Sequence, residues 1–491
     1  MSYRFDVIKM KYCSIGLSIS KNAIPATVLD EQMKIITELK KSSSFPISPE
    51  NVLSNVIQIL KDLISKLRNY KISAIGISCY PSSLILHSKD KILGEPIITR
   101  GFQDYDLIEE LMRMDLEFWL DRVGNIPSPK LNVARILHVK EHRKITYQNT
   151  KYLLDLISYI VKSLTGKVVI DKTTAFEWGL LNKKTLTWDD LLINMLEIDT
   201  EKLPDLVEPA TTVGNLSSEI KETLGLNYDI PIVIGSTDAA ATCLGACLLN
   251  NSDTFVSYMT PSYAGVVSDS PHGSFHYHLS LHAYPNLYIM GSELPPLEEY
   301  LSWLQKTYNV NYNEEIEKKR IFQEKVVKMI GFPFIVDEYS ECYPKLKGMI
   351  GGFDASSTNI DLFAGSLLGY AFAINLVFKS LEESRISLSE KVYGLNVEGV
   401  THFSELVTDV LCKNQEIFHG QLSSLGTALM AKIGINEITW NDIKRVRESL
   451  SPSEATPSEK CKIYRRIFKQ YFRMLKFMKT VFDEIDKLDY K

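Results

Sequence analysis

The segment DIPIVIGSTDAAATCLGA, residues 229–246, is the feature that most narrows the folds open to this chain. Its apolar run Ile232–Ile234 is β-branched and short, as in a buried strand. Gly235 permits a tight turn, and the alanines after Asp238 favour a helix. A buried strand that leads directly into a helix is typical of α/β proteins, which bind ligands at the carboxyl ends of their strands. The pattern therefore predicts that Asp238 lies at a helix N-terminus, above the end of a strand.

Two roles for Asp238 follow from this position. An aspartate at the head of a helix is commonly a cap that accepts backbone N–H groups, although Ser236 and Thr237 are equally suited to that task. A carboxylate at the carboxyl end of a strand is also well placed to act as a general base. The segment alone leaves both roles open.

Bulk properties exclude several classes of partner. A chain of 491 residues predicts two or three domains, and 45% hydrophobic with 23% charged residues is typical of globular proteins. A net charge of -5 lacks the basic character of nucleic-acid binding, so we expect no such partner. The longest apolar stretch, 367–378, is too short to span a bilayer, which predicts no membrane contact.

The cysteine pattern and the N-terminal sequence predict a cytoplasmic protein. Seven cysteines without CxxC spacing argue against a disulfide framework and a structural zinc site, and charged residues interrupt any signal-like run near the start. His276, His278 and His282 share one predicted strand face, but one strand spaces ligands poorly for a metal. We therefore expect partly exposed sheet histidines there and no metal site of the protein's own.

Hydrophobic periodicity predicts two similar halves. Residues 13–79 read as two β-type runs joined by a hairpin turn, a helix, and a further strand parallel to its neighbour, with 31–39 extending the second run. A comparable hairpin pattern restarts at 249, and a long helix closes the sequence. The predicted domains are 1–248 and 249–491.

Several segments in order resemble the FGGY carbohydrate kinases: 124–142, 159–190, GSTDAAATCLGA, 348–374 and 423–434. The resemblance implies an α/β fold with two actin-like (ribonuclease H-like) domains around a central cleft, the first holding the sugar and the second the nucleotide. It further implies ATP and Mg²⁺ as cofactors, a small sugar or polyol as substrate, and a homodimer. In this family the aspartate at the position of Asp238 takes the proton of the attacking hydroxyl.

The nucleotide motifs of the family align with residues that differ from them. Ser18, Ser20 and Lys21 lie over the D-x-G-T phosphate motif, with Ser18 in place of its magnesium-serving aspartate. A register shifted by four residues aligns Gly16 with the motif glycine but still leaves a serine in place of the acid. Lys21 is either a phosphate contact or a solvated turn residue.

Two further loops complete the implied site. Thr260 follows Met259 where the family has a glycine, and Gly399 and Ser404 are what remains of the adenosine loop, which is otherwise readable as an ordinary strand-to-helix turn. On the sugar side the implied substrate residues are Arg100, Gln103 and Asp104, which are otherwise a solvated loop. The sequence thus predicts a sugar or polyol kinase with Asp238 as base, and alternatively a non-catalytic relative that binds a sugar-like ligand.

Overall fold

The computed structural model describes residues 10–43, 48–81, 83–98, 102, 104–258, 262–317, 327, 329–334, 347–397 and 399–486. Its β-strands, in chain order, are β1 (Lys11–Ile19), β2 (Ala23–Asp30), β3 (Ile35–Ser42), β4 (Tyr70–Cys79), β5 (Ser83–His87), β6 (Ile97–Ile98), β7 (Tyr152–Leu154), β8 (Val169–Asp171), β9 (Asp205–Val207), β10 (Thr211–Asn215), β11 (Pro231–Thr237), β12 (Thr254–Ser257), β13 (Ser262–Ser268), β14 (His278–Leu281), β15 (Tyr288–Leu294), β16 (Ile330–Phe332), β17 (Met349–Gly351), β18 (Lys391–Leu395), β19 (Asn414–Phe418) and β20 (Ser453–Ala455).

The α-helices are α1 (Pro49–Lys66), α2 (Tyr105–Arg113), α3 (Leu116–Arg122), α4 (Asn132–His142), α5 (Lys144–Asn149), α6 (Leu156–Thr165), α7 (Lys172–Phe176), α8 (Asp190–Met195), α9 (Ser218–Leu224), α10 (Asp238–Gly245), α11 (Leu297–Tyr308), α12 (Tyr312–Glu317), α13 (Asn359–Glu383), α14 (Thr401–Leu411), α15 (Leu422–Gly434), α16 (Val446–Ser449) and α17 (Cys461–Asp486). Short 3₁₀ helices cover Thr200–Lys202 and Trp440–Arg445.

The chain forms two compact units. Unit one comprises Met1–Leu248, Leu281–Asn286 and Gln421–Leu450, and unit two comprises Leu249–Ser280, Leu287–Gly420 and Ser451–Lys491. The main chain passes between the units next to residue 248, where the sequence predicts a domain boundary, and α15 and α16 belong to unit one although they lie late in the sequence. The assignment of 1–248 and 249–491 as sugar and nucleotide domains stays a prediction.

Unit one is built on a sheet of strand order β10-β11-β4-β1-β2-β3. β1 is antiparallel to β2 and parallel to β4, and β4 is parallel to β11, so the carboxyl ends of β1, β4 and β11 share one edge. One face packs its aliphatic side chains on α1, α6 and α9. On the other face Gly16 and Gly76 let α15 come close, since a Cβ on Gly16 would lie 2.2 Å from the Ala428 amide nitrogen.

The start of unit one departs from the prediction at β3. Residues 31–39 were expected to extend the second strand, but a turn separates β2 from β3. The Asp30 carboxylate oxygen Oδ1 accepts the amides of Gln32 and Lys34, each at 2.9 Å, and this arrangement closes the turn. β3 then pairs antiparallel with β2. The unit therefore begins β-β-β-α-β, and the prediction that the last of these strands is parallel to its neighbour is confirmed, since β4 pairs in parallel with β1.

Unit two holds a sheet of order β14-β15-β13-β12-β18-β19-β20. The hairpin β12–β13 is antiparallel, as the sequence predicts, and β12, β18 and β19 run parallel. The apolar stretch 367–378, predicted to be too short to span a bilayer, lies within the longer helix α13. α13 has 25 residues and is long and apolar enough to cross a membrane, but 78% of its apolar window is buried inside the fold, as in the core helix of a globular domain.

Candidate active site

The candidate site lies where β1, β4 and β11 end in unit one. Ser18 pairs with Ser78 in the β1–β4 register, and Cys79 pairs with Thr237 in the β4–β11 register. The Ser78 hydroxyl accepts the Ser236 amide at 3.2 Å. A side chain at Gly235 would collide with this hydroxyl, because its Cβ would lie 2.2 Å from the Ser78 Oγ. Close packing of the strands thus explains this glycine, and the predicted turn at Gly235 was wrong, because β11 continues to Thr237 and leads directly into α10.

Asp238 is the first residue of α10, and Thr237 is the residue that caps this helix. The Thr237 hydroxyl accepts the Ala240 amide at 3.3 Å, which is the bond expected of an N-cap. Asp238 itself is 6% exposed, and its backbone carbonyl accepts the Thr242 hydroxyl at 2.7 Å. Of the two roles open from the sequence, N-capping therefore falls to the neighbouring residue. The positive end of the helix dipole favours a charged carboxylate at this position.

Two more buried carboxylates lie near the same end of the sheet. Burial raises the pKa of the Cys79 thiol well above its usual value, and the charges of Asp155, Asp238 and Asp171 raise it further. The three acidic side chains therefore lie around the carboxyl end of β4. A thiol in such surroundings stays protonated, so Cys79 has no nucleophilic role.

Asp171 orients the turn that carries Asp238. One of its oxygens accepts the Thr173 hydroxyl and the Thr174 amide, the latter at 3.0 Å. The Thr173 hydroxyl oxygen in turn accepts the Thr237 amide at 2.8 Å. Burial raises the pKa of Asp171 against the lowering effect of these hydrogen bonds. The chain Asp171–Thr173–Thr237 therefore fixes the backbone immediately before Asp238.

A second polar network runs through Asn132, Arg135 and Asp155, all buried. Arg135 Nε donates to the Asn132 side-chain oxygen at 2.7 Å, and Asn132 Nδ2 lies 3.4 Å from Asp155 Oδ2. The other Asp155 oxygen has no hydrogen-bond partner among the described residues. Burial raises the pKa of Asp155 to about 7, and the Arg135 charge limits the rise.

Sequence reasoning missed Asp155 and Asp171. The available signal was a single acidic residue inside or directly after an apolar run, as in the segments 152–157 and 168–171. A buried charge is costly unless it has partners, so an acid in such a run indicates a polar network or a site. The same signal was read at Asp238 and was not applied to these two positions.

The end of β1 carries the residues aligned with the phosphate motif. Ser18 is buried, and its hydroxyl has no hydrogen-bond partner among the described residues. The Ser20 amide donates to the Ala23 carbonyl at 2.9 Å and closes the turn into β2. Lys21 is only 4% exposed, so the reading of Lys21 as a solvated turn residue is wrong. Gly16 packs against α15, and this close contact explains the need for glycine without a bound phosphate.

The donor chemistry at this turn fits a phosphate and does not fit a magnesium ion. Hydroxyl groups and a lysine ammonium are phosphate contacts, whereas Mg²⁺ prefers carboxylates together with phosphate oxygens. Among the described residues at the end of β1, Ser18 supplies a neutral hydroxyl where an acid would be needed. The residues at the end of β1 therefore do not fit a protein-held Mg²⁺.

The implied nucleotide residues of unit two are only partly described. Gly399 has φ +78° and open space around it, so a left-handed turn before α14 explains the glycine. The buried Ser404 hydroxyl donates to the Thr401 carbonyl at 2.6 Å within α14. Met259 and Thr260 lie outside the described residues. The nucleotide role of these positions stays a prediction.

On the implied sugar side, Arg100 and Gln103 lie outside the described residues. Asp104 caps α2 by accepting the Leu107 amide at 3.3 Å, and its other oxygen lies 2.6 Å from His138 Nδ1. Sequence reasoning missed His138, although its i,i+4 spacing with His142 was a usable signal.

The expected strand face of three histidines was wrong, because only His278 lies in a strand, β14, and His276 and His282 lie outside it. His282 was expected to be partly exposed, but it is buried, and burial lowers its pKa to about 3. Its Nδ1 accepts the Tyr284 amide at 2.8 Å. His282 belongs to unit one, whereas His276 and His278 belong to unit two.

Comparison with known proteins identifies the class. A gluconate kinase structure from Lactobacillus acidophilus superimposes with a TM-score of 0.86 at 19% identity, covering 97% of this chain and 100% of that chain. A xylulose kinase of Staphylococcus xylosus is 23% identical over 398 residues, covering 77% of this chain and 81% of that protein. A gluconokinase of Bacillus subtilis (strain 168) is 22% identical over 400 residues, covering 75% and 77% respectively.

The fold is therefore that of α/β proteins with two actin-like (ribonuclease H-like) domains, and the predicted fold class is confirmed. Residues 16–245 match the model of the N-terminal domain of the FGGY family of carbohydrate kinases. The resemblance to this family that the sequence predicts is therefore confirmed.

Proposed function

We propose that the chain is a kinase that transfers the γ-phosphate of ATP to a hydroxyl of a small sugar or polyol, with Asp238 as the general base. The observation that carries this proposal is the placement of Asp238 at the carboxyl edge of the unit-one sheet, where Thr237 supplies the helix cap in its stead. Ligands of open α/β sheets bind at this edge. The identity of the relatives, which act on carbohydrates by name, supports the substrate class.

The reaction needs little covalent work from the protein. The Asp238 carboxylate takes the proton of the acceptor hydroxyl as its oxygen forms a bond to the γ-phosphorus. The bond from that phosphorus to the bridging oxygen breaks, and ADP leaves with the electron pair. Positioning and charge neutralisation supply most of the acceleration of phosphoryl transfer. Mg²⁺ is expected to enter with ATP, held by its phosphates, and to neutralise part of their charge.

The residues behind Asp238 keep its carboxylate in place. Asp171 holds Thr173, Thr173 holds the Thr237 amide, and Thr237 begins α10. Asp155 and Asp171 are buried near the same end of the sheet and add polar groups to the surroundings of Asp238. Lys21, buried at the end of the neighbouring β1, is assigned to the transferred phosphate.

The remaining implied residues are proposed as contacts of the two substrates. Ser18, Ser20, Thr260, Gly399 and Ser404 are assigned to ATP, with Thr260 lying outside the described residues. Arg100 and Gln103 are assigned to the sugar. Asp104 is assigned to the sugar by the same alignment. A cytoplasmic location and a homodimer are proposed on the same family basis.

Ser18 favours a second candidate function. It leaves a neutral, buried hydroxyl where the family has an acid, so the chain is alternatively a relative that binds a sugar-like ligand without phosphorylating it. The two functions differ in nucleotide binding. Ligands that bind only the native state raise the unfolding temperature, so thermal shifts with ATP and Mg²⁺ and with sugars separate them.

The deciding experiment incubates the chain with ATP and Mg²⁺ and a panel of xylulose, ribulose, gluconate and glycerol, and measures ADP and the phosphorylated product. The proposal predicts product with at least one acceptor and a thermal shift with ATP. A shift with a sugar, without a shift with ATP and without product from any acceptor, supports the non-catalytic relative instead.

A further inference from the structure

We infer that Asp104, His138 and His142 form a binding site for a single Zn²⁺ ion in unit one. These three side chains each offer one ligand atom, and the three atoms lie within 4.8 Å of one another. The inference does not depend on the kinase proposal, and it assigns Asp104 to a metal instead of to a sugar.

The three ligands come from two elements that hold them on one side of unit one. His138 and His142 are four residues apart on α4, so their side chains lie on the same face of the helix, with ring centroids 4.8 Å apart. Asp104 is the N-cap of α2, which packs against α4. Both histidines therefore face one carboxylate.

The separations of Asp104 from His138 and from His142 are close to those that zinc requires. Two ligands 2.0–2.1 Å from a tetrahedral ion are about 3.3 Å apart. Asp104 Oδ2 lies 3.4 Å from His142 Nε2, which already matches this separation. The same oxygen lies 2.6 Å from His138 Nδ1, and a hydrogen bond joins the two atoms. Asp104 Oδ2 and His138 Nδ1 therefore have to move apart by about 0.7 Å when an ion binds between them.

Neighbouring groups orient the ligands as is usual around bound metals. The Asp104 carboxylate accepts the Leu107 amide at 3.3 Å, which leaves its Oδ2 directed at the imidazoles. The buried Phe102 packs edge-on against the His138 ring, with centroids 5.4 Å apart. These contacts reduce the freedom that the ligands would lose when they bind an ion.

Ligand type and exposure select the ion. Two imidazoles and one carboxylate suit Zn²⁺, whereas Mg²⁺ and Ca²⁺ prefer sites made of oxygen atoms. The Asp104, His138 and His142 side chains are 14%, 25% and 57% exposed, which leaves solvent access for an entering ion. Three protein ligands leave the fourth position of a tetrahedral zinc to water.

The test measures Zn²⁺ binding to the full chain after removal of metal with EDTA, by competition against a chromophoric zinc chelator. No nucleotide or sugar is present, so the result is independent of kinase activity. The variants are His142→Asn and His138→Asn. His419→Asn is the matched control, because His419 is exposed and hydrogen-bonds only the Ser453 hydroxyl among the described residues.

We expect one equivalent of tight binding in the wild type and in His419→Asn, with affinity reduced by at least about tenfold in each site variant. Excess Mg²⁺ should leave Zn²⁺ binding unchanged. His142 is the most exposed ligand, so its replacement should leave the metal-free unfolding temperature unchanged and serves as a fold control. The inference is overturned if the wild type binds no stoichiometric Zn²⁺. It is also overturned if His142→Asn and His138→Asn both bind Zn²⁺ as tightly as the wild type, which would locate the ion at other groups such as the cysteines.

Discussion

The substitution Gly426→Ala tests whether α10, which carries Asp238, is held against α15 by close backbone packing. A Cβ on Gly426 would lie 2.0 Å from the Ala241 carbonyl oxygen, and a Cβ on Gly245 would lie 2.0 Å from the Leu422 carbonyl oxygen. Ordinary contacts of a Cβ begin at 3.4 Å, so the two helices must part by about 1.4 Å to admit one methyl group. Both obstacles are backbone atoms, and no side-chain rotation relieves them.

Two opposing contributions decide whether Gly426→Ala raises or lowers the free energy of unfolding. Alanine is a better helix former than glycine by about 1 kcal/mol in a helix interior. Overpacking of a tight interface costs about 1–3 kcal/mol, and a contact between two helix backbones belongs at the upper end. Gly426→Ala should therefore lower the free energy of unfolding by about 2 kcal/mol. The double variant with Gly245→Ala should cost less than the two single effects together, because one separation of the helices admits both methyl groups.

Denaturation in guanidinium chloride, followed by tryptophan fluorescence, measures this change. Four of the five tryptophans lie in unit one, so the signal reports mainly on the unit that contains both helices. The midpoint should fall at constant m value. Gly351→Ala is the control, since Gly351 has open space and should change stability by less than about 0.5 kcal/mol. Stabilisation by Gly426→Ala would refute the close packing of α10 on α15.

Two further changes test the groups around Asp238. Burial raises the pKa of Asp155 from its usual 3.8 to about 7 in the fold, so its stabilising contribution is complete below pH 3.8 and is lost as the pH rises through 7. The unfolding temperature of Asp155→Asn relative to wild type should therefore rise between pH 4 and pH 8, and a constant difference would contradict the raised pKa. Thr237→Ala should destabilise by about 1 kcal/mol through loss of the α10 cap, while Thr237→Ser should cost much less. Equal denaturant midpoints for Thr237→Ala and Thr237→Ser would contradict the assignment of Thr237 as the N-cap of α10.

The strand and helix around Asp238 were predictable because the pattern there is local. An apolar β-branched run and an alanine-rich segment determine strand and helix within eighteen residues, whereas the glycine that predicted a turn lies inside the strand. The β1–β2 hairpin followed from the same kind of local pattern. The turn before β3 was missed because Asp30 closes it with its side chain, and an acidic residue followed by polar residues has many other uses.

Features that depend on distant partners were not readable. One of the two interpretations of Lys21 was a solvated turn residue, but tertiary packing buries its side chain. α15 lies among second-half elements in the sequence and packs on the unit-one sheet, which only the folded chain shows. Asp104 and His138 are separated by 34 residues, and no single spacing rule joins a helix cap to a histidine on another helix.

The central claim, that Asp238 takes the proton of the acceptor hydroxyl, is tested most directly by single-turnover phosphoryl transfer in wild type and Asp238→Asn. The acceptor is the one that gives the most product with the wild type, and both enzymes are saturated with ATP and that acceptor. A general base contributes about 10²–10⁴-fold, so the variant should transfer phosphate at least about 100-fold more slowly, with unchanged ATP affinity and unfolding temperature. Transfer by Asp238→Asn at the wild-type rate would contradict the account.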